Sequence, residues 1–213
     1  MLLAIDTSTP LVAVAVCDPD GTAVASAASD RPMKHGESLA PLVEDVLDRA
    51  GAEATSLTTI GVGTGPGPFT GLRVGLVTAR VLGLALGVPV RGICSLDVVA
   101  AQAAAQGVVE PFVVVSDARR KELFHASYDA EGRRTDGPHV SRPEDVPADG
   151  VLVVGSGVSL YPEAFARTAG PDRVDAAALG ALLASGRAEV TDPEPRYLRR
   201  PDAVVPGPPK RAS

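Results

Sequence analysis

The apolar segment from Thr70 to Leu86 constrains the fold of this chain more than any other part of the sequence. Small residues recur along it at every fourth position: Gly71, Gly75, Ala79 and Gly83. This spacing predicts a helix with a stripe that permits close packing, and only Arg73 and Arg80 are charged. A helix that is apolar on all sides cannot lie with one face on its own sheet and the other in water. It therefore needs a second partner.

The exposed side of this helix is the surface that we expect to contact another molecule. Its ridge consists of residues spaced four, three and four apart: Arg73, Val77, Arg80 and Leu84. The preceding helical pattern, from Leu39 to Ala50, has an ordinary polar face. Three of its apolar residues are predicted to border the ridge: Val43, Val46 and Leu47. The alternative, that the second half of this chain covers the helix, stays open from the sequence.

Composition favours a globular protein without nucleic-acid binding of its own. The 213 residues are 45% hydrophobic and 22% charged, which excludes a disordered chain. With a net charge of −6 and only 3% aromatic residues, the chain has few side chains that could bind phosphates or stack on bases. Met1 to Asp6 lacks the basic region of a signal peptide, and the apolar run ending at Leu86 is shorter than the roughly 20 residues of a membrane helix. We therefore expect a cytoplasmic protein that does not contact membranes.

The predicted elements recur in the second half of the chain. Strands are predicted at 2–6, 12–17, 22–27, 57–62 and 88–94, with helices at 39–50, 70–86 and 96–106. After Gly107, strands are predicted at 112–116, 122–128, 134–140 and 151–154, with helices at 160–168 and 176–185. We interpret this α/β chain as two β-β-β-α-β-α copies, each opening with a strand that ends in an aspartate, Asp6 or Asp117. The predicted domains are 1–107 and 108–200, and residues 201–213 are a disordered, Pro-rich tail.

Two loops are candidates for holding phosphate. The glycine and proline loop from Gly61 to Gly71 exposes backbone amides where an anion would settle, although it matches neither the P-loop nor the dinucleotide motif. The first hairpin turn, Asp6–Thr9, which we call the first turn, contributes one carboxylate and three hydroxyls. Asp117 in the second half would face this turn across a cleft. The candidate residues of this vestigial phosphate site are Asp6, Thr7, Ser8, Gly65, Gly67 and Asp117. The alternative for both loops is structural, with glycines for close packing and side chains that bond nearby amides.

The sequence contains no pattern typical of a metal site or a catalytic nucleophile. The three histidines, His35, His125 and His139, are far apart and match no metal motif. Ser156 lacks the flanking residues of a nucleophile elbow. Cys17 and Cys94 lie in apolar runs, so we expect reduced, buried thiols.

Several stretches together resemble one known family. They are Ala4–Thr9, Gly65–Gly75, Leu86–Pro89 leading to Ser95-Leu96, Asp117–Arg120 and Arg196–Arg199. The chain is similar to the TsaB family, also called YeaZ, the non-catalytic dimerisation subunits of the bacterial tRNA threonylcarbamoyladenosine machinery. Pro68 stands where one family motif has serine, which weakens the prediction of an anion site.

The resemblance implies an actin-like ATPase fold, also described as ribonuclease H-like. It implies that the chain forms a heterodimer with the transferase TsaD and that an ATPase, TsaE, joins this complex. In the absence of these partners it implies a homodimer. It also implies that tRNA is contacted only through the complex. No cofactor is implied, apart from weak ATP and magnesium binding at the complex interface. In TsaD-like chains two histidines bind the catalytic metal; Ser95 and Val99 stand at the matching positions, so this chain would have no transferase chemistry. The second hypothesis is a stand-alone ATPase or small-molecule kinase in which Asp6 and Asp117 hold magnesium.

Overall fold

The structure is a computed structural model that describes residues 1–29 and 34–199. Its strands are β1 (Leu2–Asp6), β2 (Ala13–Cys17), β3 (Ala23–Ala28), β4 (Thr59–Gly63), β5 (Val90–Ile93), β6 (Phe112–Asp117), β7 (Leu123–Tyr128), β8 (Arg134–Ser141), β9 (Leu152–Val154) and β10 (Val190–Thr191). Its α-helices are α1 (His35–Arg49), α2 (Phe69–Leu86), α3 (Ser95–Ala105) and α4 (Ala176–Ala184). The predicted tail at 201–213 lies outside the described residues.

The first sheet has the strand order β10-β5-β4-β1-β2-β3. The central strand β1 pairs antiparallel with β2 and parallel with β4, and β4 pairs parallel with β5. Every residue of β1 is buried, because helices cover both faces of the sheet. This arrangement of three antiparallel strands followed by parallel crossovers is that of the predicted actin-like fold.

The second sheet repeats part of this arrangement. Its order, β8-β7-β6-β9, corresponds to β3-β2-β1-β4 of the first sheet, with β6 antiparallel to β7 and parallel to β9. The prediction that the helices also repeat is wrong, however. In the first sheet α1 connects β3 to β4, whereas only a short 3₁₀ turn, Pro143–Asp145, lies between β8 and β9. The two halves therefore share a strand order but not a full β-β-β-α-β-α unit.

The helix predicted at 160–168 does not form. Two 3₁₀ turns, Val158–Leu160 and Pro162–Ala164, occupy its start. The following backbone is extended, because Val153 of β9 donates its N–H to the carbonyl of Arg167 at 2.9 Å. The side chain of Phe165 is buried in the core beneath β6 and β9. Pairing with a buried strand thus replaces the local helical preference.

The end of the described chain returns to the first sheet. Helix α4 packs against β1 and β2, and β10 pairs antiparallel with β5. The division into domains at residue 107 stays a prediction. Of the predicted second domain, β10 joins the first sheet and α4 packs on it.

The helices separate into two layers. Helices α1 and α2 pack on one face of the first sheet, with Leu39, Leu72 and Leu76 in their common core. Helices α3 and α4 pack on the other face, and α3 also contacts the second sheet. Helix α1 begins about one turn earlier than predicted, which places Pro41 inside it rather than in a first turn capped by Ser38. Both cysteines are buried and free, as predicted.

Candidate functional site

The carboxylate of Asp6 is buried at the end of β1. Ser8 donates to Asp6 Oδ1 from its backbone N–H at 2.8 Å and from its hydroxyl at 2.7 Å, and Ser95 Oγ donates to Oδ2 at 2.6 Å. Burial raises the pKa of Asp6, and the hydrogen bonds from Ser95 and Ser8 work in the opposite direction. Both carboxylate oxygens accept hydrogen bonds from the protein itself, so the structural alternative accounts for this residue.

Thr7 connects the first turn to helix α2. Its hydroxyl donates to the carbonyl of Gly71 at 2.8 Å and accepts from the N–H of Gly75 at 3.1 Å. A Cβ at Gly75 would collide with this hydroxyl. The absence of a side chain at position 75 therefore lets the helix approach the turn.

The glycine loop contacts the first turn rather than open space. A Cβ at Gly67 would collide with the carbonyl oxygen of Ser8. The N–H of Gly65 donates to Ser95 Oγ at 3.2 Å, which links the loop to the residue that binds Asp6. The structure thus brings the predicted residues of the N-terminal half together, but it does so by packing the two loops against each other.

A narrow cleft separates the first turn from the second sheet. Its walls include Ser8, Ser95, Ser116 and Asp117. The free volume is about 30 Å³, enough for one or two water molecules. Pockets that hold small molecules usually measure about 300–1,000 Å³. The cleft between Asp117 and the first turn is therefore too small for a nucleotide in this conformation.

Asp117, at the end of β6, holds the turn that follows it. The N–H of Arg119 donates to Asp117 Oδ1 at 2.7 Å, and the guanidinium of Arg119 lies 3.2 Å from Oδ2. Both oxygens of this carboxylate therefore contact Arg119 of its own turn.

The two positions that match the metal-binding histidines of TsaD-like chains have structural roles here. Ser95 donates its hydroxyl proton to Asp6, and Val99 is buried in the core between the two sheets. Within residues 1–29 and 34–199, no three histidine, cysteine, aspartate or glutamate side chains lie close enough to hold a metal ion.

Helix α2 presents apolar side chains to solvent along one face. Val77, Val81 and Leu84 are 57%, 59% and 86% exposed, whereas Leu72 and Leu76 on the opposite side are buried. By length and composition α2 could span a membrane, with 18 residues and a mean hydropathy of 1.5. Its packing into the core is also typical of a helix in a globular domain. The predicted ridge residues Val77 and Leu84 lie on the exposed face.

The prediction that Val43, Val46 and Leu47 border this ridge is partly wrong. Val43 and Val46 are only 7% and 0% exposed, because their spacing directs them, together with Leu39, into the core beneath α1. Leu47 is partly buried against the same core. Val43 and Val46 therefore have almost no surface to offer a partner.

The C-terminal segment contacts the two arginines of the ridge. Arg80 pairs with Glu194 at 3.0 Å, and Arg73 Nε donates to the hydroxyl of Tyr197 at 2.9 Å. The rings of Tyr197 and Phe69 stack at 4.9 Å, and the guanidinium of Arg73 lies 3.6 Å above the ring of Phe69. Sequence reasoning missed these contacts, since no local pattern relates residues 124 positions apart.

Comparison of the sequence and the structure with those of known proteins identifies the family of this chain. Residues 29–148 match the family model of TsaD, tRNA N6-adenosine threonylcarbamoyltransferase. YeaZ from Pseudomonas aeruginosa is 30% identical, with a TM-score of 0.77 over 92% of this chain and 99% of that chain. The chain belongs to the TsaB/YeaZ family.

Other relatives extend the match. An uncharacterised protein of Mycobacterium bovis, Mb3455c, is 39% identical over 95% of this chain and 93% of its own length. The Escherichia coli tRNA threonylcarbamoyladenosine biosynthesis protein TsaB is 34% identical over 60% of this chain and 54% of its own length. The fold and family predicted from the sequence are confirmed, and this family member combines a narrow cleft with an exposed apolar helix face.

Proposed function

We propose that this chain takes part in tRNA threonylcarbamoyladenosine biosynthesis as a non-catalytic scaffold subunit in the cytoplasm. It pairs through helix α2 with TsaD, which performs the transfer to the adenosine next to the anticodon, and TsaE joins the pair. In the absence of TsaD two copies of this chain pair through the same face. The observation that carries this proposal is the exposed apolar face of α2.

The energetics favour pairing through this face. Val77, Val81 and Leu84 lie on one side of the helix and leave large apolar side chains in water. Covering such a side chain completely contributes about 1.5–3 kcal/mol. A stable interface buries about 800 Å² on each partner, so neighbouring residues must also contribute. Arg73 and Arg80 lie on the same helix and are suited to the rim of such an interface, and Leu47 of α1 is proposed to border it.

Substitution of Val77 by glutamate tests the proposal. A charge at the centre of the face should abolish co-elution with TsaD in size-exclusion chromatography and leave the circular dichroism spectrum of the chain unchanged. Val109, which is 81% exposed in the loop between α3 and β6, provides a matched control. Val109→Glu should co-elute with TsaD like the wild type. Unchanged co-elution of Val77→Glu would refute the proposed interface.

The alternative is a stand-alone ATPase or kinase in which Asp6 and Asp117 hold magnesium. The hydrogen bonds that occupy both carboxylates and the cleft volume of about 30 Å³ argue against it. Tight binding of ATP by the isolated chain, lost in Asp6→Ala, would support the enzyme over the scaffold.

Contact with tRNA is proposed to occur only through the complex. The net charge of −6 opposes attraction to phosphate backbones. In gel-shift experiments at physiological salt, the chain alone should not bind tRNA with submicromolar affinity, whereas its complex with TsaD should retain tRNA. A submicromolar shift by the chain alone would contradict this part of the proposal.

A further inference from the structure

An open groove lies above the face of the second sheet that is opposite α3. The 3₁₀ turn Pro143–Asp145 supplies one wall, and the turns Val158–Leu160 and Pro162–Ala164 supply the other. The volume of the groove is about 550 Å³. Val146 and Phe165, which belong to or follow these turns, are buried in the core beneath β6 and β9. Both walls are therefore anchored to the sheet.

Apolar side chains contribute accessible surface along this groove. They are Pro143, Leu160, Tyr161, Pro162 and Ala164. Leu160 is 50% exposed, although it is a large apolar side chain. The rings of the two prolines fix their own backbone, so this surface changes little in shape. A tyrosine beside rigid apolar residues is the type of surface that binds proline-rich segments.

The charged side chains of the groove are both acidic. Glu144 and Glu163 line it, and no basic residue of the described ranges does. Glu144 has a long contact with Arg142, at 3.8 Å, and Glu163 forms no ion pair within residues 1–29 and 34–199. A ligand that is apolar, extended and basic at one end would complement this groove.

The C-terminal part of the sequence has this composition. Residues 200–213 lie outside the described residues, and positions 206–211 read Pro-Gly-Pro-Pro-Lys-Arg. We call these six residues the basic proline segment. Its prolines favour an extended polyproline conformation, and its two cations follow them directly. Composition alone predicts no packed core for such a segment, so a complementary surface is needed to hold it in one place.

The last described residue lies near the groove. Arg199 pairs with Glu122, and the next residue, Leu123, pairs with Ser141 of β8. Pro143 follows two residues later. With about 4.8 Å between strands and about 3.3 Å per residue along a strand, the groove begins roughly 12 Å from Leu123. The six residues between Arg199 and the basic proline segment span about 19 Å when extended, which is enough to reach it.

We propose that the basic proline segment binds in the groove of its own chain. Its prolines pack against Tyr161, and its two cations face Glu144 and Glu163. A tethered segment meets its site at an effective concentration of the order of 1 mM, so a Kd of about 0.1 mM keeps the groove occupied about nine-tenths of the time. The groove shares no residue with the exposed apolar face of α2, so this inference does not depend on pairing with TsaD.

Carbodiimide cross-linking of the full chain tests this inference, because the reagent joins an amine directly to a carboxylate in contact with it. The sequence contains only three lysines, so the links are simple to assign. Mass spectrometry should find Lys210 joined mainly to Glu144 or Glu163. Lys34 and Glu37, 2.8 Å apart, form the positive control. Links of Lys210 to carboxylates throughout the chain, or no link of Lys210 at all, would overturn the proposal.

Isotope mixing identifies which molecule occupies the groove. Unlabelled chain and chain labelled with a heavy nitrogen isotope are mixed in equal amounts before cross-linking. Links of Lys210 that carry a single label lie within one chain and support the proposal. Links that join the two labels would place the segment in the groove of a second copy and overturn it. Absence of the link in the purified chain would assign the groove to another protein.

Two variants test the groove and the segment separately. Tyr161→Ala should weaken binding about tenfold, which lowers the occupied fraction and the initial rate of linking to about one-half. Val109→Ala, at an exposed apolar residue outside the groove, should link like the wild type. The double variant Pro208→Ser, Pro209→Ser retains Lys210 and alters no described residue, so it keeps the test valid if Tyr161→Ala does not fold. It should slow linking to a similar extent without changing the melting temperature. Unchanged linking in the double variant would overturn the proposal.

Discussion

Ser95 Oγ lies 2.6 Å from Asp6 Oδ2 and joins the start of α3 to the end of β1 across 89 residues. The same hydroxyl accepts the N–H of Gly65, so one serine connects the central strand, the glycine loop and the helix between the two sheets. A position that holds a metal ligand in TsaD-like chains thus has a structural role in this chain.

Replacement of Ser95 by alanine should destabilise the fold. The buried Asp6 carboxylate would lose its donor to Oδ2, and a buried polar group without its partner costs about 1–3 kcal/mol. Urea denaturation at neutral pH measures this loss. Ser56→Ala, which removes an exposed hydroxyl, should change the free energy of unfolding by less than about 0.5 kcal/mol. Equal effects of the two substitutions would contradict the role given to Ser95.

The effect of Asp6→Asn should depend on pH in a definite direction. Burial raises the pKa of Asp6 above its ordinary value of 3.8, so the folded state holds this proton more tightly than the unfolded state. The stability that protonation of Asp6 provides is fully present below pH 3.8 and is lost as the pH rises through the folded-state pKa. Asparagine cannot lose a proton. The stability of wild type relative to Asp6→Asn should therefore fall as the pH rises above 3.8, as followed by urea denaturation; a constant or rising difference would contradict the shift.

Gly75→Ala should destabilise the chain by about 1–3 kcal/mol, although alanine is the better helix former. The new Cβ would collide with Thr7 Oγ1 and disturb the contact between α2 and the first turn. Gly36→Ala is the matched control within α1, since its Cβ would meet nothing within 4 Å. Thermal unfolding should show a lower melting temperature for the first variant and an equal or higher one for the second. A stabilising effect of Gly75→Ala would show that the turn is not closely packed.

The buried Asp97 pairs with the partly buried Arg134, whose Nε lies 3.2 Å from Asp97 Oδ1, and the hydroxyl of Tyr128 donates to the same oxygen at 2.8 Å. Burial raises the pKa of Asp97, and the charge of Arg134 opposes this shift. Arg134→Met should cost up to about 3 kcal/mol, because it removes the cation in contact with the buried carboxylate and leaves only the more distant charge of Arg196. Adding Asp97→Asn should recover part of that loss. A double-mutant cycle by denaturation measures the coupling, and additive losses would argue against a direct pair.

The sequence predicted the elements with strong local signals. Strand β1 and helix α2 appear within one residue of their predicted bounds, because an apolar run that ends at a turn and a four-residue repeat of small side chains are local patterns. The helix at 160–168 failed because β9 offers hydrogen bonds to Arg167 and Ala169 that no local pattern reveals. The burial of Val43 and Val46 was also missed, since a helical repeat identifies an apolar face without saying which surface covers it.

The sequence by itself determined the family, the strands β1 to β5 and the helix that is apolar on two sides, because periodicity and motif spacing are properties of neighbouring residues. Only the tertiary structure decided that the glycine loop packs on the first turn, that Asp6 accepts from Ser95 of α3, and that four arginines meet at a cavity beside Tyr197. These relations join residues tens to more than a hundred positions apart. Their energies depend on distances that are fixed only when the two sheets and the C-terminal segment come together.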